Sequence, residues 1–117
     1  PRLLEICEAY ECGAILNPAN LKAQVEGCIV MGLAALREQI LFANGKLRNP
    51  RFSEYRVPRF RDVPKIDVVL VDKKEAEPVG AGETPIIAVA PAMANAMFAV
   101  TGRRVRSMPF QAVPAKG

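Results

Sequence analysis

The sequence predicts an α+β fold, with two principal helices packed on a small mixed or antiparallel sheet. Three observations predict it. A helical apolar periodicity begins at Leu21, a β-branched run occupies Ile66 to Val71, and Asn44-Gly45 separates two short apolar stretches. The first has the 3.6-residue repeat of a buried helix face, the second the composition of a strand, and the third the preferred dipeptide of a two-residue hairpin.

Taken in order, residues 3–7 and 14–16 read as short extended segments broken by Glu11-Cys12-Gly13. Asn17-Pro18-Ala19-Asn20 supplies turn and cap chemistry, with Asn20 the expected N-cap of a helix over 20–36. Leu21, Val25, Cys28, Ile29, Gly32, Leu33 and Leu36 share one face of that helix. Ala23, Gly27, Val30 and Ala34 form a second face of small residues, which lets another element come close. A helix apolar on most sides needs cover on most sides, and a domain this small has little to give. The reading therefore expects partners outside the chain. Gln39 to Ala43, Asn44-Gly45 and Lys46 to Arg48 form strand, turn and strand, with this hairpin and the strand 66–71 in one sheet. Pro50, Pro58 and Pro64 make residues 49–65 an ordered loop or edge segment. Alanine content favours a second helix near 90–101, and Pro91 sets its start there, leaving 85–90 irregular or tightly turned. Gly102 is the expected C-terminal stop, followed by Arg103 and Arg104 at the negative end of the dipole. Arg104 to Phe110 reads as a short strand, and the tail to Gly117 as loose.

At 117 residues the chain amounts to one domain at most. Half its residues are apolar and a quarter charged, an ordinary globular balance. No stretch approaches the ~20 apolar residues of a membrane span, and no signal-peptide pattern is visible. The start at Pro1, with a strand-like pattern already under way, fits a piece cut from a longer polypeptide. The net charge of +4 is mild. Arg48, Arg51, Arg56, Arg59 and Arg61, interleaved with Phe52, Tyr55 and Phe60, read as a solvated or interface loop rather than a nucleic-acid surface, since Glu54 and Asp62 interrupt them. Histidine is absent, which removes every Ser-His or Cys-His catalytic arrangement. Cys7, Cys12 and Cys28 contain no CxxC pair, so a structural zinc is not expected. Cys7 and Cys28 read as small buried hydrophobes, and a Cys7–Cys12 disulfide stays open.

The stretch with most chemistry is Val79-Gly80-Ala81-Gly82-Glu83-Thr84-Pro85. Glycines let a backbone approach a ligand closely, and the acid that follows stands at the mouth of a helical segment. From these residues alone, Glu83 is either a base in a site or a carboxylate serving the positive end of the next helix. Gln24 is equally compatible with an exposed helix position, and Gly82 with an ordinary turn.

This run is one of several that resemble the molybdenum hydroxylases, the family of xanthine dehydrogenase, aldehyde oxidoreductase and isoquinoline oxidoreductase. The others are Glu11 to Pro18, Gln24 to Gly27 with Gly32-Leu33, Tyr55 to Pro58 with Asp62 to Pro64, Ala90 to Ala92 with Ala94 to Ala96, and Thr101 to Pro109. They occur in family order and span about residues 9–110. The ending Thr101 to Arg106 with Met108-Pro109 looks most like the isoquinoline 1-oxidoreductase beta subunit and related membrane-associated aldehyde dehydrogenases. The resemblance implies that residues 1–117 are a C-terminal fragment of the molybdopterin-binding large subunit. The implied chemistry is hydroxylation of an N-heteroaromatic or aldehyde substrate with water as oxygen source. Glu83 matches the family's catalytic glutamate base, Gln24 the glutamine that hydrogen-bonds the pterin, and Gly82 the glycine running beside the metal centre. The resemblance implies that molybdenum is held through the cofactor and not by side chains of this chain. The implied cofactor is molybdopterin, as the cytosine dinucleotide, with 2Fe-2S clusters on a partner subunit. The implied partners are the remainder of the large subunit, an iron–sulfur small subunit and a small-molecule substrate. Neither nucleic acid nor direct membrane insertion is expected, and the compartment stays open between bacterial periplasm and cytoplasm. Glu26, Asn95 and Tyr55 also match, and read as polar groups satisfied in buried surroundings. Thr84 departs from the family's usual proline or glycine and reads as a cap for the following segment. The resemblance implies that the rest of the active site lies upstream, so the fragment alone is expected to be inactive. The alternative is a binding or assembly module with the same fold and no redox role.

Overall fold

The computed structural model describes residues 2–110. Its elements are β1 (Glu5–Glu11), α1 (Pro18–Ala35), β2 (Phe42–Ala43), β3 (Lys46–Leu47), a 3-10 turn at Phe60–Asp62, β4 (Lys65–Val71), a 3-10 turn at Thr84–Ala88 and α2 (Val89–Thr101). The class is the expected α+β, and both principal helices lie within two residues of their expected bounds.

The strands form two separate pairs. β1 runs parallel to β4, with Ile6 beside Ile66 and Tyr10 beside Leu70, while β2 and β3 form an isolated antiparallel hairpin. The hairpin therefore does not join the strand at 65–71, correcting the expectation of one shared sheet. Parallel neighbours need a crossover between them, and α1 lies in the long connection from β1 to β4. At the hairpin tip Asn44 and Gly45 both have positive φ, 52° and 71°, the geometry this dipeptide favours.

Asn17, not Asn20, caps α1: its side chain accepts from the Asn20 backbone N–H at 3.0 Å, with Pro18 in the first turn. Proline has no N–H and suits that position, which displaces the cap three residues upstream of the expected one. Val25, Ile29, Leu33 and Leu36 bury one face of the helix together with Val89, and Ile6, Tyr10, Ile66 and Val68 pack against them. Gly32 is where a second element comes close. A Cβ there would lie 2.9 Å from the Val89 Cβ, so only glycine permits this docking. On the expected face of small residues Ala23 and Gly27 are exposed, with nothing within 4 Å of a Cβ at Gly27, while Val30 and Ala34 are half-buried. Leu16, Met31, Ile87 and Val100 are also exposed, in keeping with the expected need for outside partners.

The chain from Thr84 to Thr101 is a 3-10 turn over 84–88 followed directly by α2. Gly102 ends α2 in the left-handed region at φ 69°. By length and composition this 18-residue stretch is apolar enough to match a membrane span, which corrects the expectation that no stretch approaches one. Within the fold, its Val89 is buried against α1. Beyond it, Arg104 turns back, its guanidinium 3.7 Å above the Phe98 ring and Nη1 3.1 Å from Asn95 Oδ1. Residues 104–110 form no strand, contrary to expectation. Pro109 cannot donate to a ladder, and the Phe110 N–H bonds the Leu36 carbonyl at the end of α1, at 2.7 Å. The expected loose tail to Gly117 lies outside the described residues.

All three cysteines are free. Cys28 and Cys12 are buried, but Cys7 is exposed, correcting its reading as a core residue. Alternation along β1 turns Ile6, Glu8 and Tyr10 inward and Cys7 outward. Five residues of extended chain separate Cys7 from Cys12 by about 16 Å, beyond the reach of a disulfide. The inward Glu8 is buried, and desolvation pushes its carboxyl above the usual carboxylate range. Because the folded state holds this proton more tightly than the unfolded chain, stability falls as pH rises from the ordinary value through the raised one. Glu8→Gln is expected to raise the thermal midpoint at pH 7 and to change it little near pH 4.

Candidate functional site

Gly13 organises the approach to the glycine turn. It has φ +80°, and a Cβ on it would fall 2.1 Å from the Glu77 carbonyl oxygen. Around it the end of β1 is bonded to the connector after β4. Ala14 N–H donates to the Ala76 carbonyl at 3.2 Å, Lys73 N–H to the Gly13 carbonyl at 3.3 Å, and Val79 N–H to the Cys12 carbonyl at 2.9 Å. Glu11 accepts from the Gly13 N–H at 2.7 Å and lies 3.3 Å from Lys73 Nζ. The Gly13 hydrogen bond, assisted by Lys73, holds the Glu11 carboxyl below its ordinary range. Residue 79 is thereby fixed, and the turn 80–83 departs from a defined point.

Gln24 reaches this turn from the second turn of α1, where its Nε2 donates to the Gly82 carbonyl. Cys28, one helical turn on and on the same side, brings its Sγ to 3.4 Å from the same carbonyl and 3.7 Å from Gln24 Nε2. Two of the three residues singled out in the sequence are thus in direct contact, and the third follows Gly82 in the chain. A Cβ at Gly82 would meet nothing within 4 Å. The backbone there faces open space, so a ligand can come against it.

Glu83 is exposed and precedes the 3-10 turn Thr84–Ala88 without any side-chain capping bond to it. Among the described residues its carboxylate enters no ion pair or side-chain hydrogen bond. Its backbone carbonyl accepts from Ile86 N–H at 3.1 Å. Thr84 does not cap the segment as expected, because its Oγ1 is hydrogen-bonded to the Tyr10 hydroxyl. Pro85 is buried immediately after it.

Asn95 is exposed and bonded to Arg104, and Glu26 is part-exposed at 4.0 Å from Lys22, so neither is the buried polar group expected. An apolar cavity of about 240 Å³ lies between α1 and α2, lined by Leu33, Leu36, Met93, Met97 and Phe110 among others. None of its lining residues belongs to the turn 79–85.

The sequence model of the molybdopterin cofactor-binding domain matches residues 1–64. The chain belongs to that family. The matched residues include Gln24 and stop before the Gly82-Glu83 turn. Among the family's characterised members, isoquinoline 1-oxidoreductase subunit beta of Brevundimonas diminuta is 36% identical over 104 residues, 88% of this chain and 13% of that protein. The aldehyde oxidoreductase molybdenum-binding subunit of Escherichia coli is 36% identical over 119 residues, 93% of this chain and 16% of that one. Among solved structures, quinoline 2-oxidoreductase from Pseudomonas putida 86 superposes with a TM-score of 0.79 at 22% identity, covering 92% of this chain and 15% of its own. That likeness establishes the shared fold. The chain corresponds to a small part of each of these family members.

The family's group fits what this chain offers. Gly82 presents backbone without a side chain to open space, Gln24 is fixed against it, and a carboxylate with no internal partner among the described residues follows directly. Sequence reasoning missed Cys28 and Tyr10 as members of this neighbourhood. The spacing of Cys28 from Gln24, one helical turn, was a legible signal. The Tyr10–Thr84 contact joins residues 74 apart in sequence and gave none.

Proposed function

We propose that residues 1–117 are the C-terminal part of the molybdopterin-binding domain of a molybdenum hydroxylase, and that Glu83 is its general base. The observation that carries the reading is the bond from Gln24 to the Gly82 carbonyl. In a chain of this family, it brings the helix expected to hold the pterin against the turn that carries the acid. Gln24 and Gly82 would line the cofactor, Gln24 through the side-chain oxygen and remaining N–H that Gly82 does not use. When bound, the molybdenum cofactor supplies the two-electron redox step. Glu83 takes a proton from the water-derived nucleophile as it attacks an electron-poor carbon, a role needing an ionisable group free of internal partners and held in place. The printed names of the relatives support an N-heteroaromatic or aldehyde substrate. The cytosine dinucleotide form of the cofactor, 2Fe-2S clusters on a partner subunit and the remainder of the large subunit complete the proposed assembly. The fragment alone does not turn over.

A purely structural module would use Glu83 to serve the following turn, and the absence of a capping bond speaks against that. Gln24→Ala in the intact parent tests the cofactor assignment. It is expected to lower the molybdenum retained per subunit after gel filtration while the far-ultraviolet dichroism stays unchanged. Full retention would remove Gln24 from the site.

A further inference from the structure

We propose that Tyr10 and Thr84 are positioning residues for Glu83, forming with Gln24 a two-sided latch that sets the direction of its carboxylate. The inference rests on the reading of Glu83 as base. Both chain neighbours of the acid are tied, and to different elements. Gly82 is held through its carbonyl by Gln24 Nε2 of α1, with Cys28 Sγ at 3.4 Å, and Thr84 is held through its hydroxyl by Tyr10 of β1. Each anchor is itself rigid. Tyr10 packs against the core cluster and sits in register beside Leu70 of β4, while Gln24 is one residue before the fully buried Val25.

The latch answers a local need. Nothing lies within 4 Å of a Cβ at either Gly80 or Gly82, so packing does not restrain the turn at these positions. Glycine is also the residue with most backbone freedom to lose. An acid carried on such a turn would sample many directions, and small displacements of a catalytic group cost rate steeply. The two side-chain bonds supply the restraint that packing leaves out. Buried Pro85 extends it on the far side by fixing the backbone that follows. The residue at the position where the sequence departs from the family's pattern thus acquires a partner that proline or glycine could not have.

The test uses the intact parent enzyme loaded with cofactor. Tyr10→Phe and Thr84→Val each delete one hydroxyl with little change of shape. Each is expected to lower kcat about ten- to a hundredfold with KM and molybdenum content near wild type. Thr84→Ser should restore the rate. The double variant should be no worse than the more damaged single one, because both delete the same bond. Independently of turnover, amide hydrogen exchange at Ile86, whose N–H bonds the Glu83 carbonyl, should accelerate in both single variants. In a Glu83→Gln background, Tyr10→Phe should cost no further rate. Wild-type kcat and exchange in Tyr10→Phe and Thr84→Val overturn the latch, as does a loss that Thr84→Ser fails to restore. If Glu83→Gln alone stays active, the base reading fails. If it collapses while the hydroxyl deletions leave the rate intact, the base reading stands and the latch falls.

Discussion

Glu83→Gln in the intact parent enzyme is expected to lower turnover by at least a hundredfold, with molybdenum content and folding near wild type. The substitution keeps the shape and the hydrogen-bonding capacity of the side chain but removes its ability to accept a proton. General bases contribute about 10²–10⁴ in rate, and one that also orients the nucleophile contributes more. The fold is not expected to notice, because Glu83 is exposed, caps nothing and enters no ion pair or side-chain hydrogen bond among the described residues. Steady-state kinetics on protein of measured molybdenum content reads the result directly. Retention of more than about a tenth of the wild-type rate, above what loss of any general base in that range would leave, would remove the acid from the mechanism.

Gly13→Ala should give the largest effect on stability, about 3 kcal/mol. A side chain at φ +80° costs about 1–2 kcal/mol. The remainder comes from the 2.1 Å approach to the Glu77 carbonyl, which forces the connector away and breaks backbone bonds around residues 12–14 and 73–79. Each such bond is worth about 1 kcal/mol. Gly45→Ala separates the two contributions, since Gly45 has φ +71° in open space and should show the conformational cost alone. Urea midpoints of the two variants measure the difference. Equal losses would mean that the contact between β1 and the connector does not constrain the fold. Because Val79 leaves from this contact, Gly13→Ala should also loosen the turn carrying Glu83, seen as faster exchange of the Val79 amide.

The elements that follow from local chemistry were legible in the sequence. The α1 face from Val25 to Leu36, the Asn44-Gly45 hairpin and the Gly102 stop each depend on one segment's periodicity or dihedral preference. What depends on distant partners was not. The sequence does not say that β1 and β4 run parallel, or that the hairpin stands apart, because edges have no local signature. Cys7 looked apolar in its run but sits on the outward side of β1, where only the position of α1 decides which face is covered. The same division holds at the site. Gln24, Gly82 and Glu83 were singled out through the family resemblance, and the structure brings Gln24 onto Gly82. The hydroxyl pair Tyr10–Thr84 became visible only when strand and turn were seen side by side.

If Glu83 is the base, the molybdenum cofactor sits on the open side of Gly82, between Gln24 and Glu83. Anomalous diffraction from crystals of the intact parent, recorded on both sides of the molybdenum absorption edge, tests it most directly. A molybdenum peak is expected beside the Gly82 backbone and within reach of the Glu83 carboxylate. A peak elsewhere, for example near the apolar cavity lined by Met93 and Phe110, would contradict it.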